Sequence, residues 1–289
     1  MRGGGYPEAP EALRVPVYDN HTHLDPYVGT GSEDAEDGAE PALTPEEQLD
    51  RANAVGVAGI VQVGTDVASS RWSAALAASD PRVLAAVAIH PNEAPRLDAV
   101  GALGEALDAI DELAAQPRVR AIGETGLDFF RTEPAGIPAQ RRSFEEHIRI
   151  AKKHDLALQI HDRDAHGTVL STLEAAGAPD RTVFHCFSGD AEMARVAADR
   201  GYYLSFAGTV TFKSAQNLRD ALAVTPRDRI LVETDAPFLT PVPHRGRLNA
   251  PYLVPLTMRF LARELGADLD ELCAQVAANT EAVYGSFAG

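Results

Sequence analysis

Cysteine is nearly missing from this chain: Cys186 and Cys273 are the only two in 289 residues. So few thiols in so long a chain exclude a disulfide framework and fit a reducing compartment. Long apolar runs are missing too. None approaches the roughly 20 residues that span a bilayer, and the Gly- and Pro-rich stretch 1–16 has no apolar segment of the secretion-signal kind. The expectation is a cytoplasmic protein with no membrane contact, in which residues 1–14 are a flexible lead-in and 15–289 one folded domain. Positive charge is scarce: 26 Lys and Arg face 42 Asp and Glu, a net charge of −16. That argues against a broad basic platform for nucleic acid, because such binding depends on many Lys or Arg contacts to phosphate. It leaves room for an enzyme that grips phosphate through metal ions in a pocket.

What the chain does have is 45% hydrophobic residues, enough to bury a full core. They fall in short β-branched runs alternating with longer helical ones, the pattern of parallel βα units. Strands are expected at 15–19, 57–64, 83–90, 119–123, 156–161, 182–185, 202–206 and 229–235. Helices are expected at 45–55, behind a Thr44-x-x-Glu47 capping box, and at 99–115, 138–154, 167–176, 190–199, 214–223, 251–265 and 268–278. Eight strands with helices between them fit a single closed (β/α)8 barrel of TIM type, with an open doubly wound sheet as the competitor. The one low-complexity stretch, 29–40, is acidic and reads as a solvated loop near the first motif.

The informative pattern lies at the strand ends. The first strand runs into Asp19-Asn20-His21-Thr22-His23; the third ends at His90, the fourth runs into Glu124, the fifth ends at His161, the sixth at His185 and the eighth at Asp235. In a parallel barrel these ends gather on one face, where active sites of the fold sit. His21 and His23 flank one residue, so in extended chain both project to one side and can chelate. Imidazole with carboxylate suits Zn, Mn or a similar divalent ion, and more oxygen-rich sites suit Mg. About six donors are too many for one catalytic zinc; a metal pair sharing a bridging carboxylate uses them naturally. Each residue has a plainer alternative. A lone strand-end histidine is more often structural, Glu124 could cap a following helix, and Asp235 could be a turn residue. Coincidence at every strand end is harder to accept than one cluster.

At these residues the chain resembles the TatD family of metal-dependent deoxyribonucleases, within the amidohydrolase superfamily. The matching segments are His21-Thr22-His23-Leu24-Asp25, Ile89-His90-Pro91, Ile122-Gly123-Glu124-Thr125-Gly126-Leu127-Asp128, His161-Asp162-Arg163-Asp164-Ala165 and Phe184-His185-Cys186-Phe187-Ser188-Gly189. They continue with Thr211-Phe212-Lys213, Glu233-Thr234-Asp235-Ala236-Pro237-Phe238-Leu239 and Pro243-His244-Arg245-Gly246. The resemblance implies two divalent ions (Mg, Mn or Zn). His21, His23 and Asp235 would hold one, His161 and His185 the other, and Glu124 would bridge them. It also implies a nucleic-acid substrate, DNA that is single-stranded or engaged at its 3′ end, and a monomer or small oligomer. Asn92 stands where many relatives have a second histidine, and Thr125 replaces a usual apolar or Cys residue.

The expected chemistry is hydrolysis of a phosphodiester by an activated water, with Asp235, Glu124 and His90 as the catalytic groups. Asp235 would accept a hydrogen bond or proton from that water, and His90 would steady charge on the phosphoryl oxygens. Arg163, Arg245 and His90 are the candidate substrate-binding residues, since guanidinium matches phosphate geometry; an ion pair with a nearby carboxylate is the alternative for Arg163. Phe129 and Phe130 could stack on a base, although core packing explains at least one better. Lys213 could face substrate or solvent. Strand alternation would turn Cys186 away from the metals, and Cys273 reads as packing. Two other classes stay open. One is a hydrolase of the same superfamily acting on an amide, an ester such as aminoacyl-tRNA, or a phosphotriester; the other is a non-catalytic scaffold.

Overall fold

The computed structural model describes residues 5–25 and 43–288, so the acidic stretch 29–40 lies outside the described residues. Eight strands pair in sequence order and every pairing is parallel. They are β1 (Val17–Thr22), β2 (Val57–Val63), β3 (Val83–Val87), β4 (Val119–Asp128), β5 (Ala157–Arg163), β6 (Thr182–Phe184), β7 (Tyr203–Phe206) and β8 (Ile230–Val232). The ring closes at its rim. Thr22 bridges Ala236 in parallel, Asp235 N donates to the His21 carbonyl and His23 N to that of Ala236. Buried Asp19 strengthens the seam by accepting from the Thr234 N–H at 2.9 Å and its hydroxyl at 2.5 Å. The closed (β/α)8 barrel expected from the sequence is thus the observed fold, and the open doubly wound sheet is not.

Helices α1 (Pro45–Ala54), α2 (Val67–Ser79), α3 (Ala94–Ala99), α4 (Leu103–Ala114), α5 (Ile137–His154), α6 (His166–Ala176), α7 (Ala191–Asp199), α8 (Gln216–Val224), α9 (Val254–Glu264) and α10 (Leu269–Tyr284) surround it. The Thr44 capping box is present, Glu47 N donating to the Thr44 hydroxyl while the Glu47 carboxylate accepts from Thr44 N. Helix α2 escaped the sequence reading because its run VASSRWSAALAAS is mostly Ala and Ser and offers little contrast between faces. Asp66 and Ser69 nevertheless form a capping box at its start.

Alternation within the strands divides the interior by height. Along β5, Leu158 and Ile160 join the large core between sheet and helices, while Ala157 belongs to a second, inner core. That inner core holds Val61, Val63, Leu84, Ala86, Ala121, Val183 and Leu231, sealed from the amino-terminal end by Val283, Tyr284 and Phe287. Each large apolar side chain buried there contributes on the order of 1.5–3 kcal/mol relative to exposure. Stepping up the inner face by two residues replaces Ala157 with Gln159 and then His161, and Leu231 with Glu233 and then Asp235. Apolar floor, polar middle and ligand-type rim are stacked layers of the same strands. Within the stretch read as a lead-in, Leu13 is buried in the large core and the Pro7 carbonyl accepts from the buried Tyr252 hydroxyl at 2.6 Å.

Candidate metal centre

Glu124 is the middle of the site. Its Oε1 lies 2.5 Å from His161 Nδ1 and 2.9 Å from His185 Nε2, while its Oε2 lies 3.7 Å from His21 Nε2 and 3.9 Å from His23 Nε2. One carboxylate oxygen therefore faces each pair of imidazoles. Asp235 closes the first pair, its Oδ1 being 3.8 Å from His21 Nε2 and 3.6 Å from His23 Nε2. Asp235 lies three residues past the end of β8 at φ 54, a left-handed backbone position. Glu124 caps no helix, because β4 continues through it to Asp128. Gly126 makes the approach possible: it has φ 137, and a Cβ there would strike the His161 backbone of β5.

The far nitrogens of the four imidazoles decide what the near ones offer. His23 Nδ1 lies 2.9 Å from the Val63 carbonyl, which can only accept, so this nitrogen carries hydrogen. His21 Nδ1 faces Gln159 Oε1 at 3.1 Å, His161 Nε2 faces Asp128 Oδ2 at 3.3 Å, and His185 Nδ1 faces Glu233 Oε1 at 3.1 Å. With each far nitrogen donating to an oxygen, the four near nitrogens face Glu124, and each can give a lone pair to an ion once any proton it carries has left. His21 Nε2 and His23 Nε2 stand 3.2 Å apart, an arrangement that is repulsive for two lone pairs and attractive once a cation lies between them. The donor set fits divalent metal.

Electrostatics agree. Burial alone would raise Glu124, but His185, His90 and His161 beside it outweigh that and hold its carboxyl well below the usual range. Burial would lower His161, yet Glu124 and Asp128 overcome it and bring it to about 9; His185 is raised by Glu124 and Glu233 in the same way. The centre is built to hold positive charge, and where a proton sits a divalent ion would fit.

His90 differs from the four. It lies three residues beyond β3, and its Nδ1 accepts from Asn92 N–H at 3.0 Å, which puts the hydrogen on Nε2, 3.4 Å from Glu124 Oε1. With its other nitrogen occupied as an acceptor, it offers the site a fixed donor. The next shell was missed in the sequence: Gln159, Asp128 and Glu233, with His147 of α5, which accepts from Ile89 N–H at 3.2 Å and pairs with the Thr125 hydroxyl at 2.8 Å. A polar residue two places before a strand-end ligand, in an otherwise apolar strand, was the available signal for Gln159 and Glu233.

A family model described as TatD related DNase matches residues 18–285. This chain belongs to the TatD family. It is 43% identical over 274 residues to a protein of Mycobacterium tuberculosis called an uncharacterized metal-dependent hydrolase TatD, covering 93% of this chain and 98% of that one. It is 34% identical over 246 residues to the 3′-5′ ssDNA/RNA exonuclease TatD of Escherichia fergusonii, covering 81% and 90%. The solved structure of YjjV, a TatD homologue from Escherichia coli K12, superposes with a TM-score of 0.82 at 26% identity, covering 93% of this chain and 98% of that one. The chain is thus a metal-dependent hydrolase of the TatD family.

The remaining candidates lie around this TatD centre with mixed outcomes. Among the described residues Arg163 makes no ion pair; its guanidinium stacks on Phe130 at 4.1 Å from the ring centre, and Arg245 stacks on Phe212 at 4.1 Å. Phe130 is 63% exposed, whereas Phe129 packs against the core. Lys213 is exposed. The alternation argument fails for Cys186, because β6 stops at Phe184 and Cys186 turns to φ 40. Burial and the carboxylates of Asp235, Glu233 and Glu124 push its thiol far up, so it stays protonated beside the centre. Cys273 is buried packing on α10. Among the described residues no helix is long and apolar enough to cross a membrane.

Proposed function

We propose that this TatD protein is a phosphodiesterase, a deoxyribonuclease working as an exonuclease on single-stranded DNA from its 3′ end. The observation that carries the reading is the convergence of four imidazole nitrogens on one carboxylate, with a histidine N–H, that of His90, turned to the same point. The exonuclease name of the Escherichia fergusonii relative supports the substrate class.

In this reading His21, His23 and Asp235 would hold one ion and His161 and His185 the other, with the Glu124 carboxylate available to both. Two divalent ions (Mg, Mn or Zn), when bound, polarise the phosphoryl oxygens and acidify the attacking water. Asp235 takes the proton of that water as it attacks phosphorus. His90 donates from Nε2 to a phosphoryl oxygen as charge builds there, its ring held by the Asn92 N–H behind it. Arg163 and Arg245 grip the flanking phosphates, each guanidinium already ordered on a phenyl face. Exposed Phe130 offers its ring to a base.

The test uses 3′-labelled and 5′-labelled single-stranded oligonucleotides with Mg, Mn and Zn in turn, and with EDTA. Metal-dependent stepwise loss of the 3′ label, abolished by EDTA, is the expected result. A protein that binds metal but cleaves no oligonucleotide, while hydrolysing a lactone, amide or phosphotriester, would overturn it.

A further inference from the structure

Gln159 lies in the middle layer of the barrel, fully buried, and its amide is used up on three sides. Its Nε2 donates to the Asn20 carbonyl at 2.7 Å and to the Tyr284 hydroxyl oxygen at 2.7 Å, and its Oε1 faces His21 Nδ1 at 3.1 Å. The Asn20 carbonyl can only accept, so the amide nitrogen must point there. The opposite edge of the amide is then an oxygen, and His21 must carry its hydrogen on Nδ1. Tyr284 takes the second amide hydrogen and stops the group from turning. Gly123 leaves the room this needs, since a Cβ there would strike the Gln159 side chain.

Tyr284 comes from the last residue of α10, with Val283 beside it and Phe287 just beyond in the same inner core. Phe287 stacks on Tyr18 at 4.3 Å between ring centres, and its phenyl group has no atom that could hydrogen-bond into the polar row. A row of hydrogen bonds thus climbs from the barrel floor to the rim: Tyr284, Gln159, His21.

We propose that Tyr284 is a positioning residue for the metal centre, acting through Gln159 to fix the tautomer and orientation of His21. The C-terminal helix thereby sets the affinity of the His21 half for its ion. The inference rests on His21 being a metal ligand, and it adds an influence from the opposite end of the barrel. Removing an outer partner of a metal-bound histidine weakens metal binding by roughly 10- to 100-fold.

The experiment titrates the metal-free full-length protein with cobalt(II), reading affinity and the visible absorption bands, alongside melting of the metal-free form. Tyr284→Phe keeps the ring and should weaken binding at one of the two positions about tenfold and shift its cobalt bands, and Gln159→Leu should weaken it further. Phe287→Ala, which loosens the same floor while removing no hydrogen bond of the row, should lower the melting temperature and leave affinity within about twofold. Tyr284→Phe with unchanged affinity and spectrum would overturn the proposal, and so would Phe287→Ala weakening cobalt as much as Tyr284→Phe does. If the unaltered protein takes up no cobalt, the metal-centre reading falls together with this one; equal affinities in unaltered and variant protein sink this one alone.

Discussion

The two halves of the centre are oriented by different chemistry. On the side of β1, His21 and His23 lean on neutral oxygens, the Gln159 amide and the Val63 carbonyl. On the side of β5 and β6, His161 and His185 lean on carboxylates, Asp128 and Glu233. Burial and the neighbouring His185 drive His21 well below its ordinary pKa, whereas His23 rises against its burial beside Asp235, and His161 and His185 rise as well. The first half receives its own negative charge directly, from Asp235 at the metal-facing side. The second receives it through the rings, from carboxylates behind them. The two imidazole pairs would therefore differ in how tightly charge is coupled to an ion held between them, an imidazole backed by a carboxylate being the more basic ligand.

That difference can be broken or sharpened by substitution. Glu124→Ala removes the carboxylate both halves share and should have the largest effect. Hydrolysis should fall at least about a thousandfold, because several kcal/mol of charge stabilisation is lost, and elemental analysis should show less bound metal. Retention of both ions and of activity would refute the bridging role. Asp235→Asn touches the first half only; hydrolysis should drop about 10²- to 10⁴-fold, with the circular dichroism spectrum unchanged. Normal turnover after metal is restored would remove Asp235 from the chemistry.

Glu233→Gln sharpens the contrast, since it substitutes a neutral partner of the first-half kind into the second half. Affinity at one position should weaken roughly 10- to 100-fold, while the other keeps its own, as read by calorimetric titration. Equal weakening at both positions would mean the halves are not separately oriented. The smallest effect belongs to His147 of α5, which ties Ile89, just past β3, to Thr125 of β4. Burial holds its pKa down at about 3, against about 6.5 in the unfolded chain. The unfolded state therefore binds more protons, and stability should decline as pH falls from about 6.5 toward about 3. His147→Gln should flatten that part of the stability curve in urea titrations, and an identical slope would show that His147 contributes no acid sensitivity.

Much of this was legible in the sequence because the ligand-type residues interrupt apolar strands at their ends, where a barrel must collect them. His21, His23, Glu124, His161, His185 and Asp235 all lie around one point. The orienting groups were harder to see. Val63 contributes a backbone carbonyl, which leaves no trace in residue type, and Asp128 reaches His161 only because β4 runs four residues past Glu124. Gln159 and Glu233 looked like parts of strands and motifs until their partners across the barrel were known. Cys186 was misread because alternation was carried past the strand's last residue, into a left-handed turn.

The sealed floor also imposes a timetable on synthesis. Tyr18 of the first strand hydrogen-bonds Glu281 across 263 residues of chain, and the seam at Thr22 and Ala236 forms only when β8 exists. Until α10 emerges, the inner faces of β2 to β8 line a bore that nothing plugs. A chain made only as far as β8 would leave that apolar lining uncovered, the kind of partly formed state that aggregates unless it is shielded. Helix α10 gives the vessel its bottom.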